Sequence, residues 1–260
     1  MDSATRTKIN QHLVAVQSLI YRTINGGFLE VMPHWARGYS GLKLPIFNTF
    51  LPLHPDALSE DMLADTAAFY SSRNVLYSIE LIHDLLPHGP DFLDQRQYQS
   101  LPPQIAMALE GLPKTDGLNN QVHIERVETV PSLTAFCALL HSVFDFPLRE
   151  MVKLYPVSHL KNEQIGLYLA FADEKPVGAG TLLCADGVAT LTHMVTIDDY
   201  RNRGVATTLT YHMLADAREE NCHLATMYAT AQAYKLFSGM GFEMYSQRQL
   251  FLPPDISYAD

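Results

Sequence analysis

Three strand-like runs follow one another with no helix between them, at residues 165–173, 177–184 and 188–197. The Asp-Glu-Lys-Pro and Ala-Asp-Gly stretches that separate them are turn signals that suit antiparallel hairpins. Upstream, the pattern predicts a strand at 123–130, a helix at 132–144 and a second helical segment at 147–156. Downstream, Val205, Leu209 and Met213 at i, i+4 and i+8 predict a helix over 203–219. A short strand at 224–229, a helix at 231–240 and a strand at 242–251 complete the order β-α-α-β-β-β-α-β-α-β. That order is a mixed α/β (α+β) domain.

Residues 111–121 (GLPKTDGLNNQ) are rich in Gly, Pro and Asn, residues that turn the chain and bury no face, and they read as a linker. The linker divides the chain into residues 1–118 and 119–260. In the first part, Ile9, Leu13, Val16 and Ile20 give residues 8–23 helical spacing, and 44–53 reads as a strand broken by prolines. Residues 59–73 start on a serine cap and carry Met62, Leu63, Ala67 and Tyr70 on one face. A β-like run at 75–82, a shorter helix near 91–98 and a β-like 104–109 follow.

Composition narrows the function classes. With 260 residues, 47% apolar and only 18% charged, the chain is rich enough in apolar residues to bury a core. Its net charge of −10 disfavours nucleic acid or an anionic membrane surface as a principal partner. Cys137, Cys184 and Cys222 are scattered, which suggests neither a disulfide framework nor a zinc cluster, and a reducing compartment fits them. No signal-peptide pattern or run of about 18 apolar residues occurs, so the expectation is a soluble, cytoplasmic protein. The histidines form no H-E-x-x-H or similar pattern, and no metal is expected.

The sharpest local feature is Tyr200-Arg201-Asn202-Arg203-Gly204-Val205-Ala206, between the third hairpin strand and the helix after it. A helix start leaves backbone N–H groups unpaired at the positive end of its dipole, and here two guanidinium groups flank them. Gly204 has no Cβ to hold an oxygen away, and Ala206 keeps the first turn slim. The segment is a candidate anion cradle. Further on, Thr230-Ala231-Gln232-Ala233-Tyr234-Lys235-Leu236-Phe237-Ser238-Gly239-Met240-Gly241-Phe242 is a small-residue helix closed by Gly-Phe.

In this order and spacing the two segments resemble the GNAT N-acetyltransferase superfamily, over about residues 122–251. The resemblance implies a mixed, mostly antiparallel twisted sheet flanked by helices, with acetyl-CoA as donor and co-substrate. It puts the pyrophosphate on Arg201, Asn202, Arg203, Gly204, Val205, Ala206 and Thr207. It runs the pantetheine arm along the main chain of Met194, Val195 and Thr196, where the strand splays from its neighbour and leaves backbone groups unpaired. Thr230 and Phe237 fall on the family's helix motif, as further cofactor-binding positions.

Two positions depart from that motif. The usual Asn is Thr230, which still caps a helix. The tyrosine usually credited with protonating the leaving thiolate is Phe237, which has no proton to give. A thiol of pKa ~8.5 is a tolerable leaving group, and loss of one general acid costs roughly 10²–10⁴ in rate. Tyr234 and Tyr228 are alternative phenols. An amine of pKa ~10.4 must lose a proton before it attacks, and His193 stands where the family often carries the base, with Thr192 able to hold a water.

The parts of the first half look like a shortened copy of the second, and resemble GNAT proteins with a degenerate amino-terminal half. The Pro-Ile-Phe-Asn run at 45–48 and Phe144-Asp145-Phe146-Pro147 carry that likeness. The first-half turn at 52–59 (PLHPDALS) has neither Gly nor Arg to receive a pyrophosphate. One CoA site is therefore expected, in 119–260, with 1–118 shaping the acceptor pocket or completing the sheet. The leading reading is an acetyl-CoA-dependent N-acetyltransferase (an acyltransferase) using direct transfer to a primary amine on a small molecule or peptide. The alternative, supported by Phe237, is a catalytically weak or inactive CoA-binding module. A site for some other phosphate ligand ranks third.

Overall fold

The computed structural model describes residues 1–113 and 121–254, so most of the 111–121 linker lies outside the described residues. The first elements are α1 (Ser3–Thr23), β1 (Phe28–Met32), β2 (Trp35–Tyr39), β3 (Thr49–Pro52), α2 (Glu60–Ser71) and β4 (Ser78–Ile82). They are followed by α3 (Gly89–Asp94), β5 (Gln99–Ser100), β6 (Gln104–Glu110), β7 (His123–Arg126), α4 (Val130–Phe144) and α5 (Leu148–Leu154). The chain continues with β8 (Ile165–Ala172), β9 (Lys175–Ala185), β10 (Val188–Thr196), α6 (Val205–Glu219), β11 (Leu224–Ala229), α7 (Ala231–Gly239) and β12 (Glu243–Leu252). From β7 on, this is the order read from the sequence.

Two compact units form. One takes residues 1–16, 108–228 and 236–243, and the other takes 17–107, 229–235 and the described residues from 244 on. The units therefore do not follow the chain in simple halves: the opening residues belong with the later segment.

In the first unit the strands run β11-β10-β9-β8-β7, antiparallel except for the parallel β10–β11 pair. Both expected hairpins are present. Asp173-Glu174 joins β8 to β9 with φ of 51° and 60°, and Asp186-Gly187 joins β9 to β10 with φ of 54° and 72°. Positive φ at both central residues is the tight two-residue turn whose twist matches that of the strands.

Alternation along β9 then sorts the layers. A Cβ on Gly178 would meet Val205 Cγ1 at 2.8 Å and one on Gly180 would meet Met213 Sδ at 2.9 Å, so these glycines let α6 lie close on one face. Thr181, next along, points to the other face, where its Oγ1 is 3.1 Å from the Tyr155 hydroxyl.

The opposite face of β10 carries a buried polar chain. His12 Nε2, on α1, is 2.8 Å from Thr190 Oγ1, which lies 2.9 Å from Thr226 Oγ1. Burial pushes the His12 imidazole down to about 4, and does the same to His159.

In the second unit the order is β1-β2-β3-β4-β12, with β5 on the end of β12, and only β3–β4 is parallel. Its core gathers Phe50, Leu63, Tyr70, Ile79, Leu81 and Phe251. The expected strand at 44–53 is shorter: Pro45–Phe47 is a 3-10 turn, and pairing starts at Thr49. The buried Asn48 is the physical reason. Its Oδ1 accepts from the Ser40 amide and hydroxyl at 3.0 and 2.9 Å, and its Nδ2 donates to the carbonyls of Leu42 and Leu76, both at 2.9 Å. A buried amide satisfied on all sides outranks strand propensity.

Similarly, the strand expected over 123–130 ends at Arg126, because Thr129 and Ser132 form a reciprocal capping box that starts α4 early. The expected helix at 91–98 begins at Gly89 and ends at Asp94. Among the described residues no helix is long and apolar enough to cross a membrane.

Because the unfolded chain takes up protons on His12 and His159 near pH 6.5 while the folded chain holds both neutral down to about 4, stability falls as pH drops through this interval. Each is expected to remove on the order of 1–2 kcal/mol between pH 7 and 5. Urea melts at the two pH values check this, and a His12→Gln chain should show a visibly smaller pH slope. Equal slopes for the two chains would mean that His12 is not held neutral.

Candidate active site

The candidate site is one continuous strand–loop–helix segment of the first unit. Pairing between β10 and β11 stops at Leu191↔Met227, while β10 continues against β9 as far as Thr196↔Gly178. The last five residues of β10, Thr192 to Thr196, thus run past the end of that parallel ladder, at the place where the family resemblance implied a splay. On the β9 side the register shifts between Thr192↔Thr181 and Val195↔Ala179. Two residues, His193 and Met194, therefore stand opposite Gly180 alone, and His193 has φ of 48°. This is a β-bulge, which re-aims side chains at the end of a ladder.

At the bulge the side chains part. Met194 lies toward the α6 face, where its Cγ would be 3.5 Å from a Cβ on Gly180. His193 lies on the opposite face, where its Nδ1 is 2.5 Å from the Tyr155 hydroxyl. Its ring sits edge-on to both Tyr155 and Phe144, at centroid distances of 5.8 and 6.3 Å. Burial pushes the Tyr155 phenol far up from its ordinary value, so it stays a neutral hydroxyl between His193 and Thr181. Val195 is buried, and Thr196 is half-buried.

Beyond Thr196, Ile197 and Tyr200 pack with Val122, Val177 and Val205, so the loop is pinned at both ends by apolar contact. Between those anchors the loop residues are exposed. Arg201 Nη2 pairs with Asp198 Oδ1 at 2.8 Å, and the Arg203 guanidinium lies 5.0 Å over the Tyr200 ring. Asn202 and Gly204 are both left-handed, at φ of 61° and 79°. Gly204 is the N-cap of α6 and has no side chain with which to cap that end. The Thr208 amide makes the first bond back into the helix, to the Gly204 carbonyl at 2.9 Å, so the amides of Val205, Ala206 and Thr207 precede it. A pyrophosphate fits this chemistry: amides at a helix start, a residue without Cβ, and two exposed cations, of which Arg201 is held by a surface ion pair of small net worth and a long bond from its Nε to the Thr196 carbonyl at 3.5 Å.

The corresponding strand-to-helix turn of the second unit is closed. Ser59 caps α2, its Oγ accepting from the Met62 amide at 3.3 Å. The Ser59 hydroxyl thus occupies the capping position that Gly204 leaves open at α6.

The segment brings together His193, Met194, Val195, Thr196 and the whole of Arg201 to Thr207. The remaining expected residues lie on α7. Thr230 caps it, Oγ1 accepting from the Ala233 amide at 3.3 Å. Tyr234 stands on its exposed side, 37% accessible. Phe237 is 3% accessible and meets Phe242 edge to face at 5.9 Å, so its ring serves the core. Sequence reasoning did not single out Tyr155, which is 38 residues from its partner His193; no local signal links them.

Residues 135–242 match the family model of the Acetyltransferase (GNAT) family. The fold has the same affinity. A GCN5-related N-acetyltransferase from Kribbella flavida superposes with a TM-score of 0.72 at 15% identity, covering 95% of each chain. A functionally unknown conserved protein from Staphylococcus epidermidis gives 0.67 at 13%, covering 87% of this chain and 93% of that one. A tandem GNAT protein from the clavulanic acid biosynthesis pathway gives 0.59 at 12%, covering 86% and 80%. No curated protein matches in sequence. Residues 135–242 thus match a GNAT acetyltransferase domain, and the chain has the fold of GNAT structures.

Removing the hydroxyl that joins Thr181 to His193 takes one bond from the buried Thr181 and one from the half-buried His193. Tyr155→Phe is expected to lower unfolding free energy by about 1 kcal/mol or slightly more, read from urea melts. An unchanged midpoint would show that the bridge carries no load.

Proposed function

We propose that this chain is an acetyl-CoA-dependent N-acetyltransferase that passes the acetyl group directly to a primary amine on a small molecule or peptide, in the cytoplasm. The observation that carries the reading is the start of α6, opened by Gly204 in the left-handed region with no capping side chain of its own and preceded by a strand end that runs beyond its ladder with β11. In this reading the single CoA site belongs to residues 119–260, and residues 1–118 bind none.

Bound acetyl-CoA supplies an activated thioester. The amides of Val205, Ala206 and Thr207, with Asn202, Gly204 and the guanidinium groups of Arg201 and Arg203, hold the pyrophosphate. The main chain of Met194, Val195 and Thr196, past the end of the β11 ladder, bonds the pantetheine amides. The same backbone N–H groups favour negative charge on the carbonyl oxygen as the amine attacks.

His193, or a water held with Thr192, takes the amine proton. Its network suits this: with Tyr155 donating to Thr181 Oγ1 and accepting from His193 Nδ1–H, the basic nitrogen of the imidazole is Nε2. Tyr234, on the exposed side of α7, is the candidate acid in place of a motif tyrosine, with Thr230 capping that helix and Phe237 filling its base. A cationic acceptor agrees with the chain's net charge of −10. Neither nucleic acid nor a membrane is a partner in this reading.

Phe237 favours a second reading, a CoA-binding module that transfers nothing. It is buried and has no hydroxyl. Release of free CoA thiol from acetyl-CoA across a panel of amines separates the two: turnover with any amine supports the transferase, and tight CoA binding without turnover supports the module.

Gly204→Glu tests what both readings share. The change puts a side chain at φ of 79° and a carboxylate among the amides. CoA affinity is expected to fall at least 100-fold while circular dichroism is unchanged. Unaltered affinity would remove the cradle, and both readings with it.

A further inference from the structure

His34 lies in the turn between β1 and β2, and His54 follows the end of β3. Twenty residues separate them, but the backbone makes them neighbours across strands. Trp35 pairs with Pro52, and the Leu53 amide donates to the His34 carbonyl at 2.8 Å. The imidazoles stack with centroids 4.6 Å apart and planes 28° from parallel. Each histidine adjoins a proline, Pro33 or Pro55, whose ring fixes φ and stiffens the backbone beside the imidazole.

A carboxylate completes the group. Asp56 Oδ2 lies 3.2 Å from His54 Nδ1 and 3.9 Å from His34 Nδ1, and one ligand atom from each of the three residues lies within 4.8 Å of the other two. The 3-10 turn Pro55–Ala57, with the Asp56 amide donating to His54 Nδ1 at 3.3 Å, sets the carboxylate beside the rings. All three side chains are accessible: 52% for His34, 51% for His54 and 70% for Asp56.

Two imidazoles and one carboxylate are donors for a borderline late first-row cation, whereas magnesium and calcium prefer oxygen alone. Tetrahedral bonds of ~2.0–2.1 Å set donor atoms about 3.3 Å apart, and the two measured edges, 3.2 and 3.9 Å, bracket that value. Rotamer changes in exposed side chains close the difference, and the weak Asp56 amide bond yields Nδ1 to the metal. The solvent side leaves a fourth position for water. We propose that His34, His54 and Asp56 form a binding site for a divalent transition metal ion of the zinc class, clasping the β1–β2 turn to the end of β3. The sequence could not show it, since the histidines follow no short ligand spacing. Nothing in it depends on acyl transfer.

The test uses the full chain stripped of metal with a chelator and titrated calorimetrically with zinc chloride. Saturable binding is expected, with no response to magnesium chloride. His34→Ala and His54→Ala should each weaken it at least tenfold, while His123→Ala, an exposed histidine beside Glu125, leaves it unchanged. Zinc should raise the melting temperature of the parent chain but not of the two alanine chains. His34→Gln and His54→Gln preserve bulk if an alanine chain folds poorly. Absence of saturable zinc binding, or equal affinity in parent and His34 and His54 variants, would overturn the site.

Discussion

The structure turns on one constraint: a backbone N–H that finds no partner within the fold must find one elsewhere. β10 meets it through β11 as far as Leu191, and beyond that residue its ladder with β11 ends. A few residues later α6 begins with amides that no side chain caps. Apolar contacts of Ile197, Tyr200 and Val205 hold both ends of the intervening loop, and the Arg201–Asp198 pair braces its exposed part. A site preorganised in this way costs a ligand little ordering of the protein.

Much of the fold was legible because its determinants are local. The hairpins β8–β9 and β9–β10 announce themselves through Asp-Glu and Asp-Gly, residues suited to the positive φ observed at all four positions. Ser59 marks the start of α2 as a serine cap should. The errors fall where a distant partner decides. Pro45 to Asn48 has the composition of a broken strand, but Asn48 bonds with Ser40 on one side and Leu76 on the other, and neither contact is written in the segment itself. The β1–β2 hairpin went unread for a related reason: its turn is Pro33-His34, without the Gly or Asn that marks tight turns.

The site divides along the same line. Arg201, Arg203 and Gly204 are adjacent in sequence, so spacing alone suggested a cradle, and the left-handed φ of Gly204 gives its glycine a reason. His193 was singled out by position, but what orients it was not. Tyr155 comes from the end of α5, and only folding sets its hydroxyl between Thr181 and the imidazole. Phe237 shows the converse. A motif position aligned it with a functional tyrosine, yet its environment is that of a core phenylalanine against Phe242.

The two strand-to-helix turns show how much chemistry a few residues decide. At α2 a serine hydroxyl takes the Met62 amide, so one of the free amides of the helix start is capped by its own chain. At α6 a glycine stands in the same capping position and has no side chain to offer, so the helix dipole and its amides are left for an anion. Replacing a cap by glycine costs an ordinary helix only a few tenths of a kcal/mol. A binding site of this kind is therefore cheap for a fold to open and equally cheap to close. In the turn before α2, the exposed side chains include His54 and Asp56, two groups that attract cations rather than anions.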